Sequence, residues 1–264
     1  MQTTVGGNAY RPRIVALVYV ASIIIIAWGT FISKTSYADP AFVRDFAPVE
    51  LGLALLLGVL SVTLFRPAQL GLMRPRLQQP RLIRPLLVMG AVAALGWIAA
   101  RLMPPATARV DSALALGTLG STLLVGFTEE WMYRGLLFAF FSRRLGMKRG
   151  ALFSICLFAG FHLINIAAGV AVWAGLLQVV ITFILGSVFL VGAVGTRSLW
   201  PSMLVHGVYD FCVFDLRQMT EAGGLAWPAL IVALAAIGTG IYSLSLVLEL
   251  EGREPYAAIP PNAS

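Results

Sequence analysis

A short list of ionisable side chains lies deep inside strongly apolar stretches of this sequence, where such residues are rare. They are Glu129, Glu130, Arg134, His162, His206 and Asp210. His162 and His206 are the only histidines among the 264 residues. A charged group inside an apolar span is costly and by default marks a functional site. Carboxylates and histidines are the usual proton carriers in catalysis, so this set indicates general acid–base chemistry.

The spacing within each stretch assigns partners. Glu130 and Arg134 are four residues apart with the acid first, the favoured order for an ion pair on a helix. That pairing leaves Glu129, about 100° around the helix, without a partner and suited to act as a general base. His206 and Asp210 are also four residues apart and share a helix face. A purely structural reading stays open, because an ion pair or an intramembrane histidine can simply join two helices.

The composition is that of a membrane protein. Hydrophobic residues make up 59% of the chain and charged residues 12%, whereas a soluble domain carries about twice that charged fraction. A bilayer accommodates this composition because lipid replaces water around the outer helix faces. The net charge of +7 does not indicate nucleic-acid binding, since the basic residues lie between apolar runs as topology signals. Two cysteines in apolar runs predict neither a disulfide framework nor a cysteine-based metal site.

Apolar runs long enough to span a membrane predict an all-α, polytopic fold with about eight transmembrane helices. The whole chain, 1–264, is expected to form a single transmembrane domain that encloses an intramembrane active-site cavity. Residues 249–264, which include three prolines, are expected to be a short flexible tail. The spans are predicted at about 14–33, 48–65, 84–103, 112–141, 150–166, 169–194, 199–214 and 225–248.

The distribution of Lys and Arg predicts the orientation. Thirteen of them lie in segments on the side of the N-terminus and five on the opposite side. Positive charge gathers on the cytoplasmic side, so both termini are expected in the cytoplasm. At 1.5 Å of rise per residue, Glu129 and His162 lie about 18 Å from the cytoplasmic face, Asp210 about 16 Å and His206 about 10 Å. This shared layer predicts one site, which a substrate enters from the cytoplasmic leaflet or laterally from the bilayer.

Three motifs follow one another along the polar helices. They are EExxxR at 129–134, FxxxH at 158–162 and HxxxD at 206–210. In this order and spacing they resemble the CPBP family, which comprises type II CAAX prenyl endopeptidases and bacteriocin-processing or self-immunity (Abi) proteins. The resemblance covers a motif-bearing core of about residues 113–214.

The resemblance implies an eight-helix fold and glutamate-dependent hydrolysis of a peptide bond within the membrane. In this reading Glu129 activates water together with His162, while His206 and Asp210 stabilise the developing oxyanion. Glu130 and Arg134 are supporting residues. The prenyl-protease branch usually has Asn where this chain has Asp210, and an ionised Asp cannot donate a hydrogen bond to an oxyanion. Asp210 is therefore expected to stay protonated, to orient His206 or to help bind a metal, and it favours a bacterial-type relative. The resemblance thus implies that the chain lies in a bacterial inner (plasma) membrane.

The sequence leaves open whether the protein needs a metal ion and which of several functions it has. Two histidines and carboxylates suit a catalytic Zn²⁺, which Glu129, His162 and His206 would hold in a metalloprotease, but a Glu–His pair also activates water without metal. The expected substrate is a membrane-embedded or lipidated peptide or protein, prenylated or not. One alternative is a non-catalytic membrane scaffold or immunity protein, which should tolerate Glu129→Gln. The other is a proton-coupled transporter, although the sequence shows no repeat typical of transporter halves.

Overall fold

The computed structural model describes residues 12–33, 41–77, 79–103, 112–221, 223, 225–252 and 255–256. These residues form helices and connecting turns, with no strand among them, which confirms the predicted all-α class. A π-helical segment (Trp131–Phe138) joins the fourth helix to the fifth. The helices are α1 (Pro12–Ser33), α2 (Phe42–Thr63), α3 (Pro80–Leu102), α4 (Ser112–Glu130), α5 (Ala139–Leu145), α6 (Met147–Phe161), α7 (Ile164–Ala167), α8 (Val172–Thr196), α9 (Trp200–Glu221) and α10 (Trp227–Leu248).

Six helical segments of the described chain are long and apolar enough to cross a membrane. They are α1, α2, α3, α6 continued through α7, α8 and α10. Their outer faces carry exposed apolar side chains, such as Phe31 at 85% and Leu17 at 70% exposure, as expected for helices that face lipid. The chain is therefore an integral membrane protein. The other two predicted spans correspond to α4 with its continuation and to α9, the helices that carry most of the polar residues, so the count of eight is not confirmed.

Helix α9 is longer than the sequence predicted. The predicted span ended at residue 214, before Asp215, whereas the helix continues to Glu221. The carboxylate of Asp215 accepts hydrogen bonds from the indole of Trp97 (2.7 Å) and the guanidinium of Arg101 (2.7 Å), both on α3. Because these partners satisfy the buried charge, the polar residue does not require the helix to end.

Two glycines let α4 and α9 approach closely. A Cβ atom added to Gly126 on α4 would lie 2.5 Å from the main-chain oxygen of Met203, and one added to Gly207 would lie 2.7 Å from Cα of Leu123. Only a residue without a side chain fits at these two positions. The contact joins the end of α4, which carries Glu129, to the middle of α9.

The π-helical segment lies at the centre of the fold, and all eight of its residues are buried. Side chains from other elements donate hydrogen bonds to its main chain: Ser154 to the carbonyl of Tyr133 (2.6 Å) and Tyr256 to that of Arg134 (3.1 Å). π-Helical turns are rare and often occur at functional sites. Tyr256 belongs to the predicted flexible tail, so this described part of the tail is packed on the bundle, whereas 257–264 lie outside the described residues.

Candidate active site

His206 is the meeting point of three predicted acidic residues. Its Nδ1 lies 2.9 Å from Oε1 of Glu130 on α4. Its Nε2 lies 3.6 Å from Oε2 of Glu129 and 3.5 Å from Oδ2 of Asp210. His206, Glu129 and Glu130 are buried, and the Asp210 side chain is 26% exposed. The structure thus brings α4 and α9 together at the residues that the sequence placed in one layer.

Arg134 and Glu130 form the ion pair that their spacing predicts. Nη1 of Arg134 lies 3.0 Å from Oε1 of Glu130, and neither side chain is exposed. Nη2 of Arg134 donates to the carbonyl of Gly186 on α8 (2.9 Å), and the guanidinium lies 4.2 Å from the ring centroid of Phe158. The same Glu130 oxygen also faces His206, a partner that spacing along one helix does not predict. Glu130 and Arg134 therefore link α4, α8 and α9 and fix the position of His206.

Two aromatic rings pack against the His206 ring. It stacks on Phe189 of α8 with ring centroids 4.2 Å apart and an interplanar angle of 15°. It also makes a T-shaped contact with Phe158, with ring centroids 5.9 Å apart. Packing and the hydrogen bond to Glu130 together define one orientation for the imidazole.

His162 lies at the C-terminal end of α6, just before α7. Its Nδ1 is 2.9 Å from the carbonyl oxygen of Phe158, and because a carbonyl can only accept, Nδ1 carries the proton. A neutral His162 therefore has an unprotonated Nε2 that can accept a proton. The residue is half-buried and packs edge-on against the Phe158 ring, with centroids 5.0 Å apart.

Glu129, His162, His206 and Asp210 line one cavity of about 420 Å³. This volume lies in the range of small-molecule and peptide-side-chain sites. Its walls are largely aromatic and aliphatic, and they include Phe161 and Phe189. A second cavity, of about 490 Å³, is lined by none of the predicted site residues and contains the exposed ion pair of Arg81 with Glu249.

Glu50 on α2 also lines this cavity, and the sequence motifs did not identify it. It is 3% exposed, and its Oε2 accepts a hydrogen bond from the hydroxyl of Thr128, the neighbour of Glu129 (2.8 Å). The predicted span begins at residue 48, so Glu50 was expected near the membrane surface, where a carboxylate is common. Because α2 begins at Phe42, Glu50 lies about 12 Å along the helix from its start. An acidic residue within an apolar run was the available signal.

The predicted metal ligands are not assembled. Within the described residues, no group of three or more His, Cys, Asp or Glu side chains is arranged to hold a metal ion. Both ring nitrogens of His206 face carboxylates, and Nδ1 of His162 is bound to a main-chain carbonyl. The set of Glu129, His162 and His206 thus does not fit a zinc centre as arranged.

The fold and the site define a class: a multi-pass helical membrane protein whose glutamate, histidine and aspartate side chains line a cavity inside the bundle. Residues 111–212 match the family model described as type II CAAX prenyl endopeptidase Rce1-like. This match supports the resemblance to the CAAX protease family that the three motifs indicate. The matched segment contains all six predicted residues, whereas Glu50 precedes it. No curated protein and no solved structure matches the chain.

Proposed function

We propose that this protein is a glutamate-dependent intramembrane endopeptidase that hydrolyses a peptide bond of a membrane-embedded or lipidated substrate. The supporting observation is the position of Glu129. Its neighbour Glu130 takes the ion pair with Arg134, while a carboxylate oxygen of Glu129 lies 3.6 Å from His206 in the cavity that His162 also lines. The family supports a protease, and the geometry supports Glu129 as its base.

In the proposed reaction Glu129 takes a proton from a water molecule while the water oxygen attacks the carbonyl carbon of the scissile bond. The unprotonated Nε2 of His162 helps to hold that water. The oxyanion receives a hydrogen bond from a protonated His206, whose Nδ1 is fixed by Glu130. Glu129 then transfers its proton to the leaving amine as the carbon–nitrogen bond breaks, which restores the carboxylate.

Asp210 is proposed to orient His206 rather than to touch the oxyanion. Its carboxylate is four residues along the same helix and 3.5 Å from Nε2. An ionised carboxylate at this distance attracts the protonated imidazole by charge and leaves the Nε2–H for the oxyanion, but it cannot itself donate a hydrogen bond to the substrate. This role accounts for an Asp at the position where prenyl-protease relatives usually have Asn.

The test compares purified wild type, Glu129→Gln and His162→Ala in liposomes, with a library of membrane-proximal and prenylated peptides, with and without a chelator. Glu129→Gln should lower the cleavage rate by about 10²–10⁴-fold, the usual contribution of a general base. Glu249→Gln is the matched control, because that glutamate is exposed and lies outside the cavity. Unchanged cleavage by Glu129→Gln would refute the mechanism, and loss of cleavage with chelator would require a metal.

A further inference from the structure

The catalytic cavity extends toward one end of the bundle. Its lining includes Thr30 in the last turn of α1, Ala174 in the first turn of α8 and Arg217 near the end of α9. Because successive spans alternate in direction, the end of α1, the start of α8 and the end of α9 lie at the same face. The ion pair of Arg101, at the end of α3, with Asp215 of α9 confirms this alignment. That face is opposite to the one where α1 begins.

The positions of the lining residues along their helices show that the cavity has a closed end and an open end. His206 is about 9 Å from the start of α9, whereas Arg217 is about 25 Å from it. On α8, which runs the other way, Phe189 is about 25 Å and Ala174 about 3 Å from the start of the helix. Exposure follows this axis, since His206 is 3% exposed and the Arg217 side chain 47%. The cavity is thus a funnel that narrows from the face opposite the start of α1 to His206.

The charges of the described residues identify the two faces. Three arginines lie at the funnel's face, and each is paired with an acidic neighbour: Arg44 with Asp45, Arg101 with Asp215 and Arg217 with Glu221. Eleven basic residues of the described chain lie at the other face, which the positive-inside rule makes cytoplasmic. They are Arg13, Arg66, Arg74, Arg76, Arg81, Arg84, Arg143, Arg144, Lys148, Arg149 and Arg197.

We infer that substrates reach Glu129 from the extracytoplasmic side of the membrane. The substrate class is then a membrane protein or anchored peptide whose scissile bond lies at or just inside that face, rather than a lipidated C-terminus in the cytoplasm. This inference rests on the proposed function for the cleavage step. It differs from the expected entry from the cytoplasmic leaflet or laterally from the bilayer, because the distance of Glu129 from the cytoplasmic face does not determine which end of the cavity is open.

Access is tested without relying on activity. In a chain carrying Cys156→Ala and Cys212→Ala, single cysteines are introduced as Thr30→Cys, Ala174→Cys and, as the cytoplasmic control, Arg74→Cys. A membrane-impermeant maleimide should label the first two in intact cells and Arg74→Cys only in inverted vesicles. Labelling of the two funnel positions only in inverted vesicles, or their failure to react in intact cells while the control behaves as expected, overturns the inference.

A second experiment tests cleavage. One cleavable segment is fused on either side of the same transmembrane anchor, and each fusion is incubated in cells with wild type or Glu129→Gln. Cleavage of the extracytoplasmic fusion by wild type alone supports the inference, and cleavage of the cytoplasmic fusion contradicts it. If both funnel cysteines are labelled from outside and neither fusion is cut, the access stands and the proposed protease activity fails for that segment.

Discussion

Replacing Glu130 by Gln tests the buried charge network most directly. The substitution keeps the shape of the side chain and an oxygen that can accept from Nδ1 of His206, but it removes the negative charge next to Arg134. Both members of this pair have no exposed surface, and the contact is 3.0 Å. Arg134 would keep its hydrogen bond to Gly186 and its contact with the Phe158 ring, neither of which supplies a full countercharge.

The size of the effect follows from that geometry. Two unit charges 3.0 Å apart attract by about 5 kcal/mol at an effective dielectric constant near 20. Breaking a buried pair by removing one partner costs about 3–5 kcal/mol, because the other charge is left uncompensated. In membranes the unfolded chain also finds polar partners. The expected loss in the free energy of unfolding therefore lies at the lower end of that range, about 3 kcal/mol.

The assay is reversible unfolding of the purified protein in mixed detergent micelles, with the free energy of unfolding compared between variants. Glu221→Gln is the matched control, since Arg217 and Glu221 are also four residues apart but exposed, and it should cost about 0.3–0.5 kcal/mol. Adding Arg134→Met to Glu130→Gln should recover at least about 1 kcal/mol, because no isolated charge then remains. A loss below about 1 kcal/mol for Glu130→Gln, or a double variant less stable than the single one, would refute the argument.

The same unfolding assay checks three further variants. Thr128→Val should cost about 1–3 kcal/mol because the buried Glu50 carboxylate loses its hydrogen-bond donor. Thr118→Val is the control, since the buried Thr118 hydroxyl has no hydrogen-bond partner among the described residues, and it should cost less. Equal losses of stability in the two variants would contradict this reason. Asp215→Asn should cost about 3 kcal/mol, since it leaves a mostly buried arginine of α3 without its countercharge, and a neutral result would show that water already screens the pair. Gly126→Ala should cost about 1–3 kcal/mol by forcing α4 and α9 apart. In Gly120→Ala, on the same helix, the added Cβ atom meets no atom within 4 Å, so this substitution should stabilise the protein by about 1 kcal/mol. Similar effects of the two substitutions would contradict the close approach of the helices.

The sequence alone determined the contacts that one helix can make with itself. Helical geometry places residues four apart on one face, so the pairs of Glu130 with Arg134 and of His206 with Asp210 follow from spacing. Composition determined the class, because so few charges and so many apolar residues suit only a bilayer. The unusual depth of two histidines and four charged residues was enough to select the candidate site.

Only the tertiary structure decided which helices meet and how closely. The contact of His206 with Glu130 joins residues 76 positions apart and depends on Gly126 and Gly207 allowing two backbones to touch. Glu50 became part of the site because α2 begins earlier than its apolar run and packs on α4. The position of the open end of the cavity likewise depends on how several helices pack together. The sequence pattern predicts which residues are neighbours within one helix. The distance between two helices depends on the shapes of both packed surfaces, which the pattern of one helix does not contain.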